Sequence, residues 1–282
     1  MTFGLGIDAV LETSQMYTPM TMPCCEKVVE QALGLLQWIS QVVVSGCFNL
    51  AQMVAARRAA AARGYCVVTK GLRGECSWWR QVLLRWNHVA MILPPTYAVS
   101  PWKWADSPVT DASRELSSLS GAGGAFYNGL WGLCVWTEEE VRELDIMELE
   151  ALMCVLWIAT LIELDPGLFG GRRFTFRNDN MPWRDSHNGN NSNKPAIAVL
   201  LRWLHELKAL HSFAMWIDWI ASEKNPIADS ISREEWDRFH EVAASNHYPL
   251  SSLRRVQVTD RSTIVSLMMS AKRSATCMLP PP

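Results

Sequence analysis

Gly121-Ala122-Gly123-Gly124-Ala125-Phe126-Tyr127-Asn128-Gly129-Leu130-Trp131-Gly132-Leu133-Cys134-Val135-Trp136 is the stretch that decides the fold. Asn128-Gly129 separates two apolar and aromatic runs. That dipeptide tolerates the positive φ a two-residue hairpin turn needs, so Gly121–Tyr127 and Leu130–Trp136 are predicted to be paired antiparallel strands. The Gly-Ala-Gly-Gly run is no phosphate loop, because it lacks Lys-Ser/Thr and a following helix. Tight packing on the strand is expected to require those glycines. Directly after the hairpin, Thr137 followed by Glu138, Glu139 and Glu140 reads as an N-cap with acids in the first turn. A long helix is predicted over Val141–Ile162, stopped by Asp165-Pro166-Gly167.

Upstream, Val109-Thr110-Asp111-Ala112-Ser113 reads as a short strand. Downstream, Arg172–Asn178 alternates as a strand, Asp185–Asn193 is an Asn-rich loop, Pro195–Leu210 is helical, Phe213–Ile220 is a strand and Pro226–Ala244 is a helix. Three successive strands followed by strand-helix-strand units imply an α/β fold with a mixed sheet and helices on its faces. Five strands are expected.

Before this region, Glu26–Ala62 has helical spacing at Leu33, Leu36, Ile39 and Val43, with Gly46 breaking it into two helices. Cys76–His88, with Trp78, Trp79, Leu83 and Trp86, is a further helical piece. Pro94, Pro95, Pro101 and Pro108 mark a linker, placing a boundary near residue 105. The expected organisation is a loop over 1–25, a helical region over 26–105, the α/β domain over 106–243 and a poorly ordered tail over 244–282.

The chain has 282 residues, of which 49% are hydrophobic and 19% charged, which excludes a disordered chain. Eight cysteines without a CxxC or a Cys/His ligand spacing exclude a zinc finger and a secreted disulfide scaffold, and fit reduced thiols. The uncharged stretch Gln31–Ala56 carries Gln37, Ser40, Gln41, Ser45, Asn49 and Gln52, so a buried helix is expected rather than a membrane span. No basic segment followed by an apolar one opens the chain, so no secretory leader is expected. An intracellular protein of cytoplasm or nucleus follows as the expectation.

Residues 111–240 carry 20 acidic side chains against 12 basic ones, a balance that opposes nucleic-acid binding unless cations offset it. Four of those acids occupy strand or helix ends: Asp111, Glu148, Asp179 and Asp229. Sites in strand-helix-strand sheets lie where strand ends open onto a crevice. Singly, an Asp after a strand is also an ordinary turn residue, Asp229 a helix-dipole residue and Glu148 a solvated one. Gathered together, four carboxylates repel and call for hard divalent cations, which take oxygen ligands. Two such ions about 4 Å apart suit phosphodiester hydrolysis.

Thr110-Asp111-Ala112-Ser113, the Gly-rich strands, Met147-Glu148-Leu149-Glu150-Ala151, Asn178-Asp179-Asn180 and Asn225-Pro226-Ile227-Ala228-Asp229-Ser230-Ile231-Ser232-Arg233 resemble, in order and spacing, the ribonuclease H domain of retroelement reverse transcriptases, DIRS-like elements included. Ala32–Trp38 and Ser77-Trp78-Trp79 are similar to the thumb and connection region that precedes it. The resemblance implies a ribonuclease H-like fold and an endonuclease that cuts the RNA strand of an RNA–DNA hybrid. It implies Asp111, Glu148, Asp179 and Asp229 as catalytic acids and metal ligands for two Mg²⁺, with Mn²⁺ as a substitute. Ser113, Arg177, Asn180, Lys224 and Arg233 flank the motifs and are candidates for contacts to the nucleic acid. Many relatives carry a His shortly before the last Asp, whereas Trp219 stands near that place here. There is no Tyr-x-Asp-Asp motif and no Asp-Asp pair anywhere in the chain, so the polymerase palm is absent and a polymerase would be a partner encoded elsewhere. The alternative is a catalytically inactive remnant that binds nucleic acid. Trp78, Trp79, Trp102 and Trp104, near Arg73, Arg80, Arg85 and Lys103, could stack on bases or pack in a core, and Trp203, Trp216 and Trp219 are expected in the core.

Overall fold

The computed structural model describes residues 21–22, 26–40, 43, 46–85, 107–114, 121–170, 172–190 and 192–276. It divides into two compact units, 1–93 and 94–282. That division falls ahead of the boundary expected near residue 105. The proline-bearing stretch itself lies outside the described residues.

In the first unit, β1 (Thr21–Met22) pairs antiparallel with β2 (Cys66–Val67), and three helices follow the chain: α1 (Glu26–Ile39), α2 (Ala51–Arg63) and α3 (Lys70–Arg85). Val29, Leu33, Leu36 and Ile39 recur at helical spacing and are all buried, so one face of α1 drives its packing. The break expected at Gly46 is present as a short 3₁₀ turn over Gly46–Asn49. The first amides of α2 have no cap from their own residue. The Glu75 carboxylate of α3 accepts from Gln52 N at 2.9 Å and Met53 N at 3.0 Å instead. Trp79 is fully buried and donates its indole N–H to Asn49 O at 2.7 Å, so this tryptophan is core. Trp78 packs edge-on to it at 5.1 Å, whereas Trp86, Trp102, Lys103 and Trp104 lie outside the described residues.

In the second unit, β3 (Val109–Ser113), β4 (Ala122–Tyr127) and β5 (Leu130–Val135) form an antiparallel meander. Asn128 and Gly129 both take positive φ, 46° and 80°, as the tight hairpin requires. Next come α4 (Glu138–Glu143), α5 (Ile146–Leu164), β6 (Arg173–Asn178), α6 (Met181–Asn188), α7 (Pro195–Leu210) and β7 (Ala214–Trp219). The chain continues through α8 (Pro226–Ser232), α9 (Trp236–Ser245), β8 (Arg254–Arg255) and α10 (Ser262–Thr276). The sheet order is β7-β6-β3-β4-β5-β8, with β6 parallel to β3, β7 parallel to β6 and β8 parallel to β5. The protein is thus α/β with a mixed sheet, as expected, but the sheet has six strands rather than five.

Two further expectations are corrected. The helix predicted over 141–162 is two helices, each opened by its own capping box: Thr137 with Glu140, and Asp145 with Glu148. The tail expected to be poorly ordered supplies β8 and α10. Ile264, Val265, Met268 and Met269 of α10 are buried.

α5 is apolar on all sides and buried along most of its length, as a helix enclosed between a sheet and other helices must be. Adjacent glycines of β4 face opposite sides of the sheet. A Cβ on Gly123 would lie 2.7 Å from Met153 Sδ of α5, and one on Gly124 would lie 2.5 Å from both Ala228 O and Ser232 N of α8. The glycine run therefore serves close approach, with α5 on one face and α8 on the other.

Candidate metal centre

β3 and β6 share one register pair, Val109 opposite Arg177. Beyond it Thr110 O receives side chains rather than a strand amide, from Asn225 Nδ2 at 3.0 Å and from the fully buried Asn178 Nδ2 at 3.4 Å. The split between the two parallel strands is the crevice. Asp111 reaches it from the middle of β3, not from the strand end expected, and Asp179 from the residue after β6. Glu150 enters from the second turn of α5. Their ligand oxygens all lie within 4.8 Å of one another.

Each acid is held by a neighbour. Ser232 Oγ donates to Asp111 Oδ2, and Ser222 Oγ donates to Asp179 Oδ2 at 2.8 Å. Trp219 Nε1 donates to the Asp179 carbonyl at 2.9 Å. Asn180 bonds to Glu150, while its Oδ1 accepts from Trp183 N at 2.8 Å and so caps α6. Two carboxylate oxygens, Glu150 Oε2 and Asp179 Oδ1, are buried with no hydrogen-bond partner among the described residues.

The electrostatics follow from this crowding. Burial, opposed by the Ser232 hydrogen bond and reinforced by the charges of Asp179 and Asp229, pushes the Asp111 carboxyl up to about 7. Burial, opposed by Asn180 and reinforced by Asp179 and Asp111, pushes Glu150 up to about 8. Three oxygen donors converging with two orphaned lone-pair sites fit a hard divalent cation such as Mg²⁺ or Mn²⁺.

The expected set of four is therefore only partly brought together. Asp111 and Asp179 meet, but Glu148 does not join them. Residues two apart on a helix are rotated by about 200°, so Glu148 and Glu150 cannot face the same crevice. Glu148 turns back to accept from Asp145 N at 2.9 Å and takes Lys272 Nζ at 2.6 Å, with 2% of its side chain exposed. The signal for this was in the sequence, because Asp145-x-x-Glu148 is a capping box, and it leaves Glu150 as the acid free to face the sheet. Asp229 stands on α8 beside the cluster but is bonded elsewhere, to Arg233 Nε at 2.6 Å and Arg238 Nη1 at 2.7 Å.

Of the flanking candidates, Asn180 is at the centre, Lys224 is exposed and Arg233 is held by Asp229. Ser113 is buried, which removes it from any surface contact. Arg177 lies half-buried on the sheet against Asp218 and Tyr248. Trp216 and Trp219, expected in the core, are 56% and 41% exposed on the edge strand β7. They line an open groove of about 680 Å³ with Arg184, Asp185, Asn188 and Asp218. Cys66, Cys76, Cys134 and Cys154 are buried thiols outside any disulfide. No described helix is long and apolar enough to cross a membrane. No protein-family model matches the chain, and no curated protein matches it.

Proposed function

We propose that the second unit is a ribonuclease H-like domain that hydrolyses the RNA strand of RNA–DNA hybrids with two Mg²⁺ ions. The single observation that carries this reading is the convergence of Asp111, Glu150 and Asp179 at the strand split, with two of their oxygens left unpaired. The order β5-β4-β3-β6-β7, a meander continued by two parallel strands, supports it.

Bound divalent cations would activate water and stabilise the leaving oxygen of a phosphodiester. Asp111, Glu150 and Asp179 are the residues that would hold them. Ser232, Ser222 and Asn180 fix the orientation of those three carboxylates, so that little reorganisation accompanies loading. The exposed Lys224 and Arg233, the latter paired with Asp229, offer positive charge to a backbone that the acidic surface otherwise repels. A reverse-transcribing polymerase would supply the hybrid.

The test is cleavage of an end-labelled RNA–DNA hybrid by the purified chain. Mg²⁺-dependent cleavage of the RNA strand, lost in Asp179→Asn and in Glu150→Gln, is the expected result. A folded sample inert under both Mg²⁺ and Mn²⁺ supports instead the reading of an inactive remnant that binds nucleic acid.

A further inference from the structure

Asp229 is the acid the centre lacks, and both of its oxygens are bonded outside it. Arg233 Nε donates to Asp229 Oδ1 at 2.6 Å, and Arg238 Nη1 donates to Oδ2 at 2.7 Å. Both carboxylate oxygens are thereby taken. Yet Asp229 is close enough for its charge to act on Asp111, and the same short helix α8 carries Ser232, which grips Asp111.

The two guanidiniums are not enclosed. Arg233 is 52% exposed and Arg238 44%, against 18% for the carboxylate between them. Arg233 spends only its Nε on Asp229. Arg238 divides its Nη1 between Asp229 and Glu235, the latter also at 2.7 Å. Exposed ion pairs of this kind are weak, and a guanidinium fork matches a phosphate at least as well as a carboxylate. A phosphodiester strand laid over the centre competes directly with Asp229 for both arginines.

We propose that Arg233 and Arg238 form a latch that withholds Asp229 from the carboxylate centre until a phosphodiester strand engages them. The released Asp229 then adds an oxygen donor beside Asp111, and the centre takes up a second cation. The inference rests on the metal-binding reading of the centre and extends it: loading of the second ion is coupled to strand binding. Arg233 and Arg238 are positioning residues, acting through Asp229.

The experiment is a Mn²⁺ titration of the full chain, read from the electron paramagnetic resonance signal of free Mn²⁺. The protein alone is expected to bind one ion tightly. It should bind two when saturated with a DNA strand paired to a 2′-O-methyl RNA that cannot be cleaved. The double substitution Arg233→Gln, Arg238→Gln should bind two without nucleic acid, the second at least about tenfold tighter than in the unaltered chain. Adding Asp229→Asn to that variant should return it to one. Two ions on the unaltered chain without nucleic acid overturn the latch and leave the nuclease reading standing, as does no second ion with the hybrid bound. No ion under any condition removes the metal centre and the latch with it. If the double variant misfolds, Arg238→Gln alone decides: a second ion bound without nucleic acid no more tightly than in the unaltered chain overturns the latch.

Discussion

Glu148 and Glu150 are the same residue type two positions apart on one helix, and they do opposite work. Glu148 is a buried cap and ion-pair residue. Glu150 is a carboxyl crowded by like charges in an acidic cluster. Glu148→Gln keeps the capping geometry but removes the carboxylate charge that Lys272 Nζ pairs with, and is expected to destabilise the protein by about 1–3 kcal/mol with ion binding retained. Glu150→Gln should abolish tight Mn²⁺ binding without lowering the melting temperature of the ion-free protein. The sign of its pH dependence follows from linkage. The folded protein raises Glu150 from 4.5 to about 8 and Asp111 from 3.8 to about 7. The folded state therefore holds protons that the unfolded chain has released. Stability from these groups is complete below about pH 4 and is lost as pH rises through 7 to 8. The gap in melting temperature by which Glu150→Gln exceeds the unaltered chain, measured with chelator, should widen between about pH 5 and pH 8, and Mg²⁺ should close it. A gap that narrows over that range would mean that Glu150 is charged and compensated in the ion-free protein. Sequence reading placed two of the three clustered acids correctly because each follows or interrupts a strand. It missed the third because a choice between neighbouring glutamates depends on which one the helix start consumes.

At the scale of elements, local rules read well wherever chain geometry was decided locally. Asn128-Gly129 specified the hairpin, Gly46 the break before α2, and Thr137 the start of α4. The split of the next helix was equally local, written in Asp145-x-x-Glu148, but the continuous apolar run from Val141 to Ile162 masked it. Asp145→Ala removes the cap on α5 and its contact to Lys194 at 2.5 Å, and should cost about 1–2 kcal/mol in denaturant unfolding. The glycine run was legible as a packing device, and Gly124 is the position where it bears on the centre. A methyl there would press on the backbone of α8 at Ala228 and Ser232. Gly124→Ala is expected to destabilise by about 3 kcal/mol and, by pushing Ser232 from Asp111, to weaken Mn²⁺ binding as well. A variant of normal stability and normal ion affinity would show that α8 shifts freely, contrary to its short contacts with β4.

What the whole molecule added was long-range closure, which no local pattern announces. β7 ends the sheet among the described residues, and Trp216 and Trp219 stay exposed because no described element covers them there. The C-terminal segment is the larger case. Its Pro-Pro-Pro ending suggested disorder, yet β8 extends the sheet beside β5, and α10 packs its apolar face on α7. Thr259 bonds to Thr160 and Glu163 near the end of α5, and the charged contacts of this segment fall on α4 and the start of α5. Arg261 Nε donates to Glu140 Oε1 at 2.7 Å, and Lys272 Nζ donates to Glu143 O and Glu148 Oε2, each at 2.6 Å. Glu140 and Glu148 are 7% and 2% exposed in those pairs. Deleting residues from 257 onward would uncover apolar side chains of α7 and take the cationic partners from two buried carboxylates, at a cost of about 3–5 kcal/mol or more. Because α5 also presents Glu150, the damage should reach the centre. The shortened chain is expected to melt at a markedly lower temperature and to bind Mn²⁺ at least about tenfold more weakly, whereas Glu148→Gln should lower the melting temperature alone. Equal ion affinity in the shortened chain would show that the sheet and α8 hold the three acids without α10, and that the C-terminal helix serves stability only.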